Sequence, residues 1–266
     1  MAGVHIMVKS IAFSSGKGGV GKTSIAVNCA LALKMRGASV ALLDADFGMA
    51  NSHIMLDQKV TGSLLEVIEG STNLDSIICE TPHGIKLIPG GSGVIELLNL
   101  HNDKRWKIIK SIGELENKID YLIVDTPAGG SDAAIDFATA CDEICIVLVG
   151  EPTSFMDAYS FIKALHLERG YDYVSVLVNM ASSEANAIQT FDNFAKTVAK
   201  FMPVEVKMIG WLPKSQILQK SILSRQPFIL QEQHNGKTLL SNMRRVVEAL
   251  SMPVPSKQSS IKFFNG

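Results

Sequence analysis

The chain lacks the features that would mark it as secreted, membrane-spanning or DNA-coating. It has 4 cysteines in 266 residues. That is too few for a disulfide framework and points to a reducing, cytoplasmic setting. Neither sign of charge is in excess: 25 Lys+Arg stand against 26 Asp+Glu. A near-neutral chain has no global basic field, so specific or coating contact with nucleic acid is not expected. Long apolar runs are missing too. Stretches such as Ile144 to Val149 are strand length, far short of the roughly 18 residues of a membrane span. Met1 to Phe13 holds no basic region followed by a long apolar stretch and a cleavage site, so no signal peptide is expected. There is no fixed-period repeat, low-complexity linker, H-x-x-x-H pair or nucleophile elbow.

What is present suits a buried α/β core. Hydrophobic residues make up 47% of the chain, enough to exclude a disordered protein. Short β-branched runs alternate with stretches of helical periodicity. Strands are expected at Ile11 to Phe13, Val40 to Leu43, Ile85 to Ile88, Tyr121 to Val124, Ile144 to Val149, Val174 to Val178 and Val204 to Ile209. Helices are expected at Lys22 to Arg36, Ser63 to Ile68, Trp106 to Glu116, Ser154 to Leu167, Ala187 to Phe201 and Thr238 to Leu250. This alternation predicts a mostly parallel, twisted sheet flanked by helices on both faces. Residues 1–250 read as one domain. Residues 251–266 read as a tail outside the core, because Pro253 and Pro255 break the helix.

Gly16 to Thr23 read Gly-Lys-Gly-Gly-Val-Gly-Lys-Thr, the pattern G-x-x-x-x-G-K-[ST] between a predicted strand and a predicted helix. Gly16, Gly18, Gly19 and Gly21, with Val20 between them, let successive amides turn inward as an anion nest, and the helix N-terminus adds its positive end. Lys22 is a mobile charge for β- and γ-phosphate oxygens. Thr23 offers a hydroxyl to Mg²⁺, and Ser24 extends the ATP-binding set into the first helical turn. Lys17 is a second loop lysine. Its own phosphate side is taken by the nest amides, which leaves two roles open: outward reach, or a solvated loop lysine.

Other parts of a nucleotide machine follow in order. Asp44 and Asp46 stand where a strand ends, on the ligand side of a parallel sheet. Carboxylates there hold Mg²⁺ and orient an attacking water, and phosphoryl transfer needs such positioning more than a strong base. Asp125 ends the apolar run Tyr121 to Val124, the Walker B form, and a flexible Gly129-Gly130 pair follows. Asp132 reads as a helix N-cap. Asn179 could pair with adenine through its amide, and Pro213 could pack on the base. Cys141 and Cys145 have no second Cys or His pair nearby, so no metal or iron–sulfur site is expected. Lys104-Arg105 beside Trp106, and Arg244-Arg245, read as solvated helix faces.

The loop with its extra Lys17 resembles the deviant Walker A loop of the ParA/MinD ATPases. Leu42 to Asn51, Pro82 to Gly90, Glu151-Pro152-Thr153-Ser154 with Asp157-Ala158-Tyr159, and Val178-Asn179-Met180-Ala181 resemble the flagellar-number branch, FlhG/FleN. The resemblance spans roughly residues 8 to 255. It implies a Mg²⁺-dependent, slow ATPase that is a monomer without ATP and a homodimer with it. Lys17 would then act in trans on the partner's phosphates, with Lys22 and Asp46 as the other catalytic residues. Glu151 would lie at the dimer interface, and Thr23, Asp44, Asp46 and Asp125 would form the metal site. The resemblance also implies restraint of a flagellar transcription activator. Some relatives stimulate a signal-recognition-type GTPase through an N-terminal Asp-Gln-Ala-x-x-Leu-Arg motif. That motif is absent here, which leaves the GTPase open as a partner but without its activator motif. Relatives also carry a C-terminal amphipathic helix that docks on lipid. Ile261-Lys262-Phe263-Phe264 resembles its start, which leaves peripheral contact at the inner face of the membrane open. Two other functions compete: a partitioning or positioning ATPase acting on DNA or membrane, and an iron–sulfur carrier on the same fold.

Overall fold

The computed structural model describes residues 8–47, 50–91, 101–231, 237–255 and 262–264. Gly48 and Met49 of the Leu42 to Asn51 stretch, and Ile261 of the tail, lie outside them.

The strands are β1 (Lys9–Ser14), β2 (Val40–Asp44), β3 (Cys79–Glu80), β4 (Lys86–Ile88), β5 (Tyr121–Asp125), β6 (Glu143–Val149), β7 (Tyr173–Ala181) and β8 (Glu205–Pro213). Among the described residues they form one sheet in the order β3-β4-β2-β5-β1-β6-β7-β8. Every pair is parallel except β3 with β4. β2 and β6 are buried along their whole length, as strands covered on both faces must be.

The helices are α1 (Lys22–Met35), α2 (Ser52–Met55), α3 (Leu64–Ile68), α4 (Leu74–Ile77), α5 (Asn102–Ile112), α6 (Asp132–Thr139), α7 (Pro152–Arg169), α8 (Glu184–Phe201), α9 (Gln216–Leu223) and α10 (Lys237–Leu250). One core lies between the sheet and α5, α6, α7 and α8. The other lies between the sheet and α1 and α10. α1 is buried almost all round, which explains its unbroken Ile-Ala-Val-Asn-Cys-Ala-Leu-Ala-Leu sequence. Gly37, at φ +93°, takes the left-handed turn that ends it. α7 opens with Pro152 at its first position and closes on Gly170 at φ +68°.

The expected strands and long helices are present, and the architecture is the predicted one. β3, α2, α4 and α9 were not among the expected elements, and four further details differ. α6, predicted only as a cap at Asp132, is a full helix; Ser131 is its cap, accepting from the Ala134 amide at 3.3 Å, and Asp132 is its first residue. α5 begins at Asn102, one turn before the expected Trp106. Arg105 is not solvated. Its Nε donates to Asp136 Oδ2 at 2.6 Å, and Arg169 donates to Asp136 Oδ1 at 2.6 Å. This buried ionic node ties α5, α6 and α7 together, a partnership that only the fold creates.

The fourth difference is the tail. Phe263 and Phe264 are part of the core. Phe263 stacks on Phe137 at 6.5 Å and 20°, and its amide donates to the Ala140 carbonyl at 3.0 Å. Lys262 Nζ donates to the Cys141 carbonyl at 2.7 Å and lies 3.6 Å from Asp142 Oδ1. Two aromatic side chains within reach of an apolar groove lose more by facing water than by folding back.

Candidate functional site

The phosphate loop runs from the end of β1 to the start of α1. Two of its glycines are required by close approach. A Cβ on Gly16 would lie 2.0 Å from the Asp157 carbonyl carbon, so only glycine lets the loop rest against α7. Gly21 caps α1 at φ +93°, and a Cβ there would lie 2.7 Å from Asn179 Nδ2. No side chain caps α1, so its first amides are left for an anion. Lys22 is buried beside them.

The loop is braced from neighbouring strands. The Gly129 amide donates to the Ser15 carbonyl at 2.9 Å, and Ser15 Oγ donates to the Lys17 carbonyl at 2.7 Å. Ser14 Oγ and Thr126 Oγ1 lie 2.9 Å apart. Thr126 therefore ties the end of β5 to the end of β1, a role that spacing alone did not reveal.

Asp44 and Asp125 sit opposite each other where β2 and β5 pair. Asp44 Oδ2 accepts from the Ser52 amide at 2.9 Å, and Oδ1 from the Asp46 amide at 3.3 Å. Asp125 is 1% exposed, and its Oδ1 has no hydrogen-bond partner. Burial first and the Asp44 charge second push the Asp125 carboxyl up to about 7, against the pull of Lys22 and the Thr23 hydroxyl. Burial likewise pushes Asp44 up to about 6, opposed by the Ser52 amide. Two buried carboxylates facing each other, with a free oxygen and a hydroxyl beside them, are a hard oxygen donor set. That set fits Mg²⁺. Asp46 lies just beyond, half-buried.

Lys17 points away from its own loop. Its Nζ donates to Glu151 Oε2 at 2.9 Å and Thr153 Oγ1 at 3.2 Å, at the N-terminal end of α7. The two residues whose side chains were expected at a dimer face are thus in contact within one chain. Asn179, at the end of β7, uses half of its amide on the loop: Nδ2 donates to the Val20 carbonyl at 2.8 Å. Its Oδ1 is buried without a partner, an acceptor that an exocyclic amine could fill. Pro213 ends β8 in register with Ala181. Ser24 is buried on α1 with Oγ unpartnered. The structure therefore gathers Gly16 to Ser24, Asp44, Asp46, Asp125 and Asn179 around the loop, with Pro213 at the neighbouring strand end.

Asn28 was missed in sequence. Its Nδ2 donates to the Ser24 carbonyl at 2.7 Å and its Oδ1 accepts from the Ile229 amide at 3.0 Å, joining α1 to residues 228–230. A polar amide inside the otherwise apolar run Ile25 to Leu33 was the available signal. The cysteines are set apart from this site. Cys29, Cys141 and Cys145 are buried, and burial pushes Cys29 up to about 12 and the other two well above the ordinary thiol value.

Residues 7–251 match the ParA family model, described as a NUBPL iron-transfer P-loop NTPase. The antiactivator FleN of Pseudomonas aeruginosa is 33% identical, covering 97% of this chain and 92% of that protein. The flagellum site-determining protein YlxH of Helicobacter pylori is 32% identical, covering 82% of this chain and 74% of that protein. Among solved structures, the Aquifex aeolicus MinC:MinD cell division complex superposes with a TM-score of 0.76 at 24% identity, over 95% of this chain and 99% of that one. The septum site-determining protein MinD of Pyrococcus horikoshii, complexed with Mg-ADP, gives 0.76 at 22% identity, over 92% and 96%.

Proposed function

We propose, from the premise that this chain belongs to the ParA/MinD family of P-loop ATPases, that it is an ATP-operated switch regulating flagellar number or placement. Residues 1–250 form the ATPase domain and 251–266 its tail. The loop amides and Lys22 hold the ATP phosphates. Thr23, Asp44, Asp46 and Asp125 hold Mg²⁺, which neutralises charge between the phosphates when bound. Asp46 orients the attacking water. Asn179 Oδ1 and Pro213 receive the adenine. Hydrolysis is slow and times the switch.

The observation that carries the switch is Lys17. A lysine serving its own phosphate would lie inside the nest; this one lies outside it, on Glu151 and Thr153. In the ATP-bound homodimer it leaves Glu151 and reaches the partner's nucleotide, supplying charge in trans as an arginine finger does. The pair is exposed, with side chains 39% and 63% accessible, so parting it costs little. The dimer then restrains a flagellar transcription activator. Lys17→Ala tests this reading. ATP affinity should hold while dimerisation is lost. A variant that still doubles its mass with ATP would return Lys17 to the role of a solvated loop lysine.

A second reading, positioning on a membrane, is favoured by one observation: Lys262, Phe263 and Phe264 stand together in the tail. Among the described residues no helix is long and apolar enough to cross a membrane, so contact would be peripheral. Because both phenylalanines are packed under α6, lipid contact would first require their release.

A further inference from the structure

Among the described residues the sheet ends at β8. Midway along, pairing slips: Val176 pairs with Met208 and Leu177 with Gly210, so Ile209 bulges. Gly210 has φ +150°, and a Cβ on it would lie 2.7 Å from Val246 Cγ2 of α10. The bulge and the close helix leave a notch of about 320 Å³ between β8, the first turns of α8 and the middle of α10. That volume suits a small ligand. The notch shares no residue with the phosphate loop, Asn179 or Pro213.

Its lining is chemically divided. Ile188, Met208 and Trp211 form an apolar wall; Glu184, Asn242 and Arg245 supply polar groups. Asn242 is 6% exposed, yet its Nδ2 has no acceptor. A buried amide donor left unpaired is costly, and such a group calls for a partner. None of the ion pairs among the described residues uses Glu184 or Arg245. The notch thus offers a donor, a cation and an anion beside an indole.

We propose that this notch binds a free α-amino acid with a large apolar side chain. The carboxylate answers Arg245 and gives Asn242 Nδ2 its acceptor. The ammonium answers Glu184. The side chain lies against Trp211, Ile188 and Met208, where aromatic and thioether surfaces favour it. A bare hydrocarbon would leave all three polar groups unanswered, and a simple carboxylic acid would leave Glu184. The notch lies where α8 and α10 meet the end of the sheet, so occupancy would clamp these helices.

The chain has 2 tryptophans, so Trp106→Phe leaves Trp211 as the sole reporter. This variant is titrated with L-leucine, L-methionine and L-phenylalanine, each also as its N-acetyl and its amide form. A saturable change in Trp211 emission is expected. It should weaken about tenfold when either charge is blocked, and vanish in Asn242→Leu and in Arg245→Ala. Binding of an ATP analogue should be unchanged in both. No saturable response to any of the three amino acids would overturn the proposal. So would an equal response from the blocked forms, or an undiminished one in Arg245→Ala, whose exposed side chain is not needed for folding.

Discussion

Asp125→Asn separates what this residue does for the fold from what it does for the chemistry. Asp125 is buried at the end of β5, faces Asp44 across the strand pair and has one oxygen without a partner. Its carboxyl is raised from 3.8 to about 7 by burial first and the Asp44 charge second. A raised folded value means that the native state holds the proton more tightly than the unfolded chain does. The metal-free protein therefore loses stability from this group as pH rises from about 4 through about 7. Three pH units of such a shift correspond to at most about 4 kcal/mol, and relaxation around a buried carboxylate reduces this to about 2–4 kcal/mol. Asparagine keeps the shape and removes the charge. In chelator at pH 8 the variant should be more stable than the parent by that amount, and near pH 4 the two should converge. Urea unfolding of both proteins across this range measures the difference. With Mg²⁺ and ATP the order of merit reverses, because the variant should no longer hydrolyse ATP. A variant equally or less stable at pH 8 in chelator, or a difference that does not change with pH, would refute the reasoning.

Lys22→Ala should abolish ATP binding, whereas Asp46→Ala should bind ATP and still dimerise without turnover; calorimetry and phosphate release distinguish the two. Asp136→Ala removes the carboxylate that Arg105 Nε and Arg169 share and should cost about 3–5 kcal/mol in urea unfolding. A cost under about 1 kcal/mol, as for an exposed pair, would contradict the buried node. Phe263→Ala should cost about 3–5 kcal/mol if the ring is core, and no change in unfolding midpoint would show the tail to be unattached.

Every strand but the two-residue β3, the long helices and the phosphate loop were legible because each is coded locally. Val40 to Leu43 is an unbroken β-branched and aliphatic run, and Gly16 to Thr23 is a loop whose residue types follow from phosphate geometry. The short elements were not legible. α2 and α4 have four residues each, too few to show a period, and α6 is an Ala-rich stretch with little pattern. Contacts between distant positions were also hidden. Arg105 looks like any helix-surface arginine until Asp136 and Arg169 meet it, and Phe263 looks like loose tail until Phe137 is found beneath it. Asn179 was identified for the base, but its donation to the Val20 carbonyl depends on how closely β7 approaches the loop.

The central claim is that ATP converts a monomer into a dimer through Lys17. Mass by light scattering, with Mg²⁺ and either ADP or a slowly hydrolysed ATP analogue, tests it directly. The account predicts the monomer mass with ADP, twice that mass with the analogue, and the monomer mass for Lys17→Ala in both. One mass for the parent protein under both nucleotides, at concentrations where the analogue is fully bound, would contradict it.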